Sequence, residues 1–342
     1  MREIERTKEY INDLNNIEDL ITDYVVGLNN GSLTIGDAKR QISGLERNCF
    51  ITRLDPSYIY DNPYIKNIHI DNWLVEKVYL SNLDKYEAYK VHAYKMRSRD
   101  PKSLTTLFSF FYFPEDINYP SLGTVFPDSK WMGVEPSEIS SFAPFISEAH
   151  GNVLVMGCGL GYLAYMLSIK DNVDKVTIVE LDKRIKTMFE VYLKPQMNDK
   201  IEIIGADALE FLNVEDISKY DYCSVDIWHG ALELFEIYPR LLLLEQKHKG
   251  TKFHYWIEED MHNILERIWL MLIQRKLNGQ YISEELKMFI DILNSKRIET
   301  VEDIKSFILA PKREIITQWA LENPESAVKQ KSLIQSIRSL KQ

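Results

Sequence analysis

A glycine-rich run, GCGLG at residues 157–161, restricts the fold of this chain more than any other feature. It follows a short apolar segment at 153–156 and precedes a helical pattern at 161–169. Glycine allows a sharp turn and lets a ligand approach the backbone, as happens where a strand of an open α/β sheet leads into a helix. An isolated GxG marks a simple tight turn about as often. Here the flanking strand and helix favour a ligand-binding loop.

The region after residue 151 alternates between two kinds of segment. Short apolar runs rich in β-branched residues predict strands at 175–180, 200–204, 221–226 and 252–257. Amphipathic segments predict helices at 183–192, 208–212 and 231–246, after an earlier helix at 137–149. Strands that alternate with helices form a parallel sheet with helices on both faces, so the predicted fold class is α/β and Rossmann-like.

The segments on either side of this region follow other patterns. Helical spacing covers 3–30, strand-like alternation occurs within 73–96 around a predicted turn at 81–84, and a loop-rich segment containing four prolines follows. Beyond residue 260 the pattern is helical, most clearly at 284–293, 301–309 and 325–340. We therefore predict an N-terminal α+β domain at 1–120, a Rossmann-like domain at 121–275 and a C-terminal helical extension at 276–342.

Acidic residues stand where three of the predicted strands end. Glu180 lies 19 residues beyond Gly161, where a carboxylate can accept hydrogen bonds from both ribose hydroxyls of an adenosine ligand. Asp207 follows the third strand, and it can meet an adenine amino group, cap the next helix, or do both. Asp226 ends the fourth strand, at the edge of the sheet where open α/β folds bind ligands.

The spacing of the glycines distinguishes between two adenosine-containing ligands. Dinucleotide sites use GxGxxG, whose third glycine permits tight helix packing beside the pyrophosphate. In this chain the third glycine comes one residue earlier, at Gly161, and Tyr162 occupies the dinucleotide position. The GxGxG spacing favours S-adenosylmethionine, which carries no phosphate, over NAD.

Four runs together resemble class I S-adenosylmethionine-dependent methyltransferases, and among these the spermidine-synthase-like branch. They are VLVMGCGLGY, VTIVELDKRI, KIEIIGADALEFL and YDYCSVD, within residues 150–230. The resemblance implies S-adenosyl-L-methionine as cofactor. The residues it assigns to the cofactor site are Gly157, Cys158, Gly159, Gly161, Glu180, Leu181, Asp207, Ala208 and Asp226.

The chain departs from this family where the acceptor substrate would bind. Residues 227–229 read Ile-Trp-His, whereas aminopropyltransferases would have an Asp-Pro-type segment and amino-methylating DNA enzymes an Asn/Asp-Pro-Pro-aromatic segment. The N-terminal region does not resemble the β-hairpin domain of polyamine synthases. The resemblance therefore supports the cofactor more than the acceptor.

Asp226 and His229 are the candidate catalytic residues, because they stand nearest to the predicted reaction centre along the chain. A base is needed only if the acceptor must lose a proton, and an isolated loop histidine is more often incidental. Trp228 either stacks on a planar substrate or covers the cofactor. Trp131 and Met132, which precede the helix at 137–149, either close over the cofactor or seal the two domains together.

Composition limits the classes of partner. The net charge of −10 argues against a nucleic-acid substrate, although Lys90, His92, Lys95, Arg97, Arg99 and Lys102 form a local basic stretch. Three cysteines with no CxxC pair predict no metal site and a reducing cytoplasm. We see no signal peptide and no apolar run long enough for a membrane span.

The predicted function is methyl transfer to a small molecule or a protein side chain. The alternatives are an aminopropyltransferase-like enzyme and a non-catalytic scaffold that binds an adenosine ligand. For the assembly state, the prediction allows a homodimer.

Overall fold

The computed structural model describes residues 2–34, 49–99, 106–125, 128–282, 286–296 and 298–329. Its first element is a long helix, α1 (Arg2–Asn30), which confirms the helix predicted at 3–30. The side chains of Ile11 and Ile21 on this helix are almost completely buried. α1 packs against α9 (Glu258–Leu277), a helix from the C-terminal part of the chain, and Ile11 belongs to the same apolar cluster as the buried residues of that helix. Gln274 of α9 donates a hydrogen bond to Asn12 at 2.6 Å.

Two small sheets follow α1 in the described part of the next hundred residues. One has the strand order β1-β5-β4 and the other is an antiparallel sheet with the order β2-β3-β6-β7. Two short helices, α2 (Ser57–Tyr60) and α3 (Pro63–Asn67), lie between β1 and β2. The strands are β1 (Cys49–Arg53), β2 (Trp73–Val75), β3 (Val78–Tyr86), β4 (His92–Arg99), β5 (Thr106–Tyr112), β6 (Ile117–Val125) and β7 (Asp128–Gly133).

Two predictions for this region are wrong. Residues 81–84 are not a turn but part of β3, where the pairing register with β6 shifts. The segment predicted as loop-rich contains β5, β6 and β7. Pro120 is tolerated inside β6 because it falls in that register shift, where it need not donate a ladder hydrogen bond to β3.

A five-stranded parallel sheet forms the centre of the molecule and confirms the predicted fold class. Its strand order is β10-β9-β8-β11-β12. The strands are β8 (Gly151–Met156), β9 (Val173–Glu180), β10 (Ile201–Gly205), β11 (Tyr222–Val225) and β12 (Lys252–Tyr255). Because the chain runs outward in opposite directions from β8, a crevice opens between β8 and β11 at their carboxyl ends.

Helices connect these strands close to the predicted positions. They are α4 (Pro136–Glu148), α5 (Tyr162–Ser168), α6 (Lys183–Met188), α7 (Ala208–Val214) and α8 (Ala231–Glu245). A π-helical turn (Phe189–Leu193) and a 3-10 turn (Lys194–Gln196) extend α6. The four residues 153–156 of the central strand are buried, as expected of a strand covered on both faces.

The C-terminal part is helical, as predicted, and packs on the sheet domain. Besides α9 it contains α10 (Lys287–Asn294), α11 (Val301–Leu309), α12 (Lys312–Glu322) and α13 (Pro324–Lys329). The helix predicted at 301–309 matches α11, whereas most of the helix predicted at 325–340 lies outside the described residues. None of the helices in the described ranges has the length and apolar character needed to cross a bilayer.

Two ion pairs anchor α12. Lys312 pairs with Glu266 of α9, and both side chains are at most 10% exposed. Arg313 makes a bidentate contact with Glu245 of α8 at 2.7 and 2.8 Å. The buried pair thus joins two C-terminal helices, and the partly exposed pair joins α12 to α8 of the Rossmann-like domain. Apolar packing covers the same contact. The predicted domain boundaries at 120 and 275 stay predictions, and β6 runs through the first of them.

Candidate functional site

A cavity of about 500 Å³ opens at the carboxyl ends of the central strands. This volume lies within the range of small-molecule sites. The ends of β8, β9, β10 and β11 and the loops after them supply most of its wall, and the end of β7 and one residue of α8 supply the rest. The lining residues are Trp131, Met132, Gly157, Cys158, Gly159, Val179, Glu180, Leu181, Asp182, Ala206, Asp207, Ala208, Leu209, Asp226, Ile227, Trp228, His229 and Ile237. Nearly all the predicted site residues therefore meet in one cavity.

The three glycines of the loop contact different parts of the protein. Gly157 has a φ of +95°, and a Cβ there would lie 2.0 Å from the carbonyl oxygen of Asp226. Gly159 has a φ of +51° and faces the sulfur of Met132. Gly161 is outside the cavity lining, because it begins α5 with a φ of +74° and packs against the ring of Phe189. Glycine is needed at all three positions, because each has a positive φ and a close neighbour where a side chain would stand.

Glu180 fixes the glycine loop as well as facing the cavity. One carboxylate oxygen accepts a hydrogen bond from the Cys158 amide at 2.9 Å, and the other accepts one from the Asp182 amide at 2.7 Å. Burial raises the pKa of Glu180, while these amide hydrogen bonds oppose the shift. Each oxygen keeps a second lone pair, so a ligand hydroxyl can still donate to this carboxylate.

Asp207 caps α7, and its carboxylate accepts a hydrogen bond from the Glu210 amide at 2.8 Å. This is the helix-cap role that the sequence allowed, and Asp207 also lines the cavity. Leu181, Ala208 and Leu209 surround it with apolar surface. Leu181 is 67% exposed, which is unusual for a leucine beside a buried strand. This end of the cavity offers apolar walls with one polar edge, which suits a heterocyclic base.

Asp226 and Glu138 form a pair of carboxylates beside the loop. Burial, together with the charge of Glu180, raises the pKa of Asp226 to about 7. Burial and the charge of Asp226 raise the pKa of Glu138 well above its usual range. Glu138 was missed in the sequence, because its approach to Asp226 depends on how α4 packs against the sheet. At neutral pH the two groups together hold less than their full negative charge.

His229 lies at the mouth of the cavity and is 60% exposed. Glu233 accepts a hydrogen bond from the His229 backbone amide at 2.8 Å and contacts its Nδ1 at 2.9 Å. On the other side, the ring of Trp131 stacks on the imidazole, with the ring centres 5.5 Å apart. Trp228 is 7% exposed, and its Nε1 has no hydrogen-bond partner. The His229 ring is therefore oriented from two sides, which the sequence did not reveal.

The charge of the lining is one-sided. Four of the lining residues described above are acids, Glu180, Asp182, Asp207 and Asp226, and none is lysine or arginine. A pyrophosphate would meet carboxylates here, whereas a ligand with cationic groups would be attracted. In the described ranges, His, Cys, Asp and Glu side chains form no group of three that could hold a metal ion.

Comparison with known proteins gives partial structural similarities. No family model matches the chain, and no curated protein matches it. Spermidine synthase from Thermotoga maritima aligns with a TM-score of 0.32 and 13% identity, over 62% of this chain and 74% of that one. A dimethyladenosine transferase from Plasmodium falciparum aligns with a TM-score of 0.30 and 16% identity, over 46% and 51%.

A third match is the Trypanosoma brucei PRMT1 enzyme-prozyme complex with AdoHcy. It aligns with a TM-score of 0.27 and 13% identity, over 34% of this chain and 37% of that one. The chain thus spans about a third of the PRMT1 chain and about half of the dimethyladenosine transferase chain. Solved structures similar to this chain include S-adenosylmethionine-dependent methyltransferases and spermidine synthases.

Proposed function

We propose that this protein binds S-adenosyl-L-methionine and transfers its methyl group to a small molecule or a protein side chain. The observation that carries the proposal is the composition of the cavity. Two glycines of the loop and the carboxylates of Glu180 and Asp207, which we assign to the ribose and the base of the ligand, line one space, and no lysine or arginine lines it. A ligand that combines adenosine with a sulfonium and an ammonium fits that arrangement of charge.

Each wall of the cavity has a proposed role. When bound, the cofactor supplies a methyl group already activated on a sulfonium, so the protein's contribution is mainly positioning and the exclusion of water. We assign the close approach of backbone and ligand to Gly157 and Gly159, and the attraction of its cationic part to Asp226, because all three line the cavity. Trp131 and Met132 cover the loop from the side of β7.

Asp226 and His229 are the proposed groups for removing a proton from an acceptor that carries one. Glu233 favours a proton on Nδ1 of neutral His229, which leaves the lone pair on Nε2 free to accept one. The pKa of Asp226, near 7, also suits a group that exchanges a proton at neutral pH. Both roles concern the acceptor, since the sulfonium itself needs no proton.

Replacing Glu180 with alanine is expected to weaken S-adenosylhomocysteine binding roughly 10- to 100-fold, because hydrogen bonds to a charged acceptor contribute about 1.5–3 kcal/mol. Calorimetric titration measures the dissociation constants. Glu180→Gln is the matched control, since it keeps one acceptor oxygen and should lose less. An unchanged constant for Glu180→Ala would remove Glu180 from the ligand site.

Cofactor binding is expected to strengthen as the pH rises from 5 to 7 and then to level off. The Asp226 carboxylate must ionise to attract a cation, and its pKa of about 7 means that each pH unit below this value reduces affinity up to roughly tenfold. The free energy of unfolding of the ligand-free protein is expected to change with pH in the opposite direction. A carboxyl pKa raised on folding makes the contribution of Asp226 to stability fall between about pH 4 and 7.

Titrations at several pH values, each in two buffers of different ionisation enthalpy, measure both the affinity and the proton released. Asp226→Asn is the control and should show a weaker pH dependence and release fewer protons than the wild type. A wild-type affinity that is constant from pH 5 to 8 would show that Asp226 does not ionise on binding.

Aminopropyl transfer is the second candidate, and one observation favours it. The α-carboxylate of S-adenosylmethionine finds no lysine or arginine in the lining, whereas the decarboxylated cofactor needs none. Two incubations separate the reactions. One supplies decarboxylated cofactor and a polyamine and detects aminopropyl transfer, and the other supplies labelled S-adenosylmethionine and cell extract and detects methyl transfer. Binding of S-adenosylhomocysteine without transfer in either assay would favour the scaffold alternative.

Negligible binding to generic duplex DNA or RNA at moderate salt is expected from the net charge of −10. Fluorescence anisotropy with labelled duplex and single-stranded oligonucleotides at two salt concentrations tests this. Submicromolar, salt-sensitive binding that is lost on charge reversal of Lys95, Arg97 and Arg99 would move the substrate to nucleic acid. Cytoplasmic location and a homodimer stay predictions.

A further inference from the structure

The end of β7 carries an irregularity where it meets the cavity. Leu122 of β6 pairs with Met132, but the next residue, Gly123, pairs with Lys130, so Trp131 is an extra residue in β7. Such a bulge breaks the alternation that normally sends neighbouring side chains to opposite faces. Trp131 and Met132 are consecutive, and yet both line the cavity.

Four polar side chains hold this bulge, and we call them the clasp: Tyr86, Tyr119, Lys130 and Glu135. Lys130 and Glu135 form an ion pair that closes the chain on either side of Trp131 and Met132. Tyr86 donates a hydrogen bond to the other oxygen of Glu135, and Lys130 donates one to Tyr119 at 2.9 Å. The two tyrosine side chains are at most 6% exposed, so the clasp stands on a rigid base in β3 and β6.

The backbone between the two charges is also tightly held. A Cβ at Gly133 would lie 2.8 Å from the Tyr119 ring and 3.2 Å from a Glu135 oxygen. The Val134 amide donates a hydrogen bond to the Pro120 carbonyl at 2.9 Å. The backbone at Gly133 and Val134, where the chain leaves β7, is therefore held by the clasp on one face and by β6 on the other.

The bulge contacts two parts of the candidate site. Met132 covers Gly159, since a Cβ on that glycine would lie 2.9 Å from the Met132 sulfur. Trp131 stacks on His229, and Glu233 holds that imidazole from its other side. One wall of the cavity is therefore built from the N-terminal sheet and is aligned with residues that follow β8 and β11.

We propose that Lys130 and Glu135 are positioning residues, which act through the bulge to hold Met132 over the ligand loop and Trp131 against His229. They line no part of the cavity themselves. This inference rests on the proposed function for its ligand, although the placement of Trp131 can be measured with no ligand present.

A double-mutant cycle tests the proposal through ligand affinity. Glu135→Gln keeps the size of the side chain but removes the ion pair, and it should weaken S-adenosylhomocysteine binding roughly 5- to 10-fold, the effect of about one interaction. In a Trp131→Ala, Met132→Ala background the same change should have almost no further effect. Lys85→Met, which removes an exposed ion pair with Asp116 on the same sheet, is the matched control and should bind as the wild type does.

A second measurement needs no cofactor. The fluorescence of Trp131, obtained by subtracting the spectrum of Trp131→Phe from that of the parent protein, should shift to the red in Glu135→Gln and in Lys130→Met. The proposal would be overturned if the Trp131 spectrum were the same in the wild type, in Glu135→Gln and in Lys130→Met. It would also be overturned if Glu135→Gln reduced affinity equally in the presence and in the absence of the Trp131 and Met132 side chains. Failure of the wild type to bind S-adenosylhomocysteine would overturn the proposed function, and the spectra would still decide the role of the clasp.

Discussion

Replacing Lys312 with methionine is expected to lower the free energy of unfolding by about 3–5 kcal/mol, the usual result of breaking a buried ion pair from one side. The Glu266 carboxylate, whose side chain is 6% exposed, would lose the cation that now faces it across α9 and α12. Methionine fills nearly the same volume as the lysine stem, so the loss would come from the charge and not from a cavity. Chemical denaturation followed by circular dichroism measures the change.

Two further variants show whether the charge is responsible. Lys305→Met removes an exposed ion pair with Glu302 on α11 and should cost less than about 1 kcal/mol. Combining Lys312→Met with Glu266→Met removes both buried charges and should recover most of the stability. If the double variant were as unstable as Lys312→Met alone, the loss would have to be assigned to packing.

Substitutions at two glycines of the loop are expected to separate folding from ligand binding. Gly157→Ala would place a Cβ 2.0 Å from the Asp226 carbonyl oxygen, which is backbone and has little room to move. The ends of β8 and β11 would be forced apart, so we expect a large loss of stability and no ligand binding. The thermal midpoint and a titration with S-adenosylhomocysteine report the two effects.

Gly159→Val should behave differently. Its nearest obstacle is the sulfur of Met132, the end of a flexible side chain, so the fold should survive at the cost of about 1–2 kcal/mol of left-handed strain. The new side chain would stand between the loop and the ligand, and binding should fall below detection. Normal melting combined with normal binding would mean that the loop does not contact the ligand.

The central sheet could be predicted because its sequence signals are local. Buried parallel strands appear as short apolar runs, and amphipathic helices separate them at regular intervals. The glycine loop, Glu180, Asp207 and Asp226 follow from this, since each ends or follows a strand whose carboxyl end lies at the same edge. Asp207 also shows that a helix cap and a cavity position can be one residue.

The N-terminal sheets could not be predicted with the same success, because their order depends on pairing between distant strands. The prolines suggested loops, although Pro120 lies in a register shift that accommodates it. Glu138, Glu233 and the bulge at Trp131 were missed for a related reason. Each reaches the site through packing between elements, and no spacing in the sequence marks that contact.

The packing of α1 against α9 has a consequence for how the protein is made. The buried residue Ile11 lies near the start of the chain, and α9, with which it shares an apolar cluster, ends at Leu277. During synthesis, more than two hundred further residues must leave the ribosome before α1 can pack against α9. Contacts between such distant residues also slow folding, because a long loop must close first. Until α9 has been made, the side chain of Ile11 lacks this partner and stays exposed.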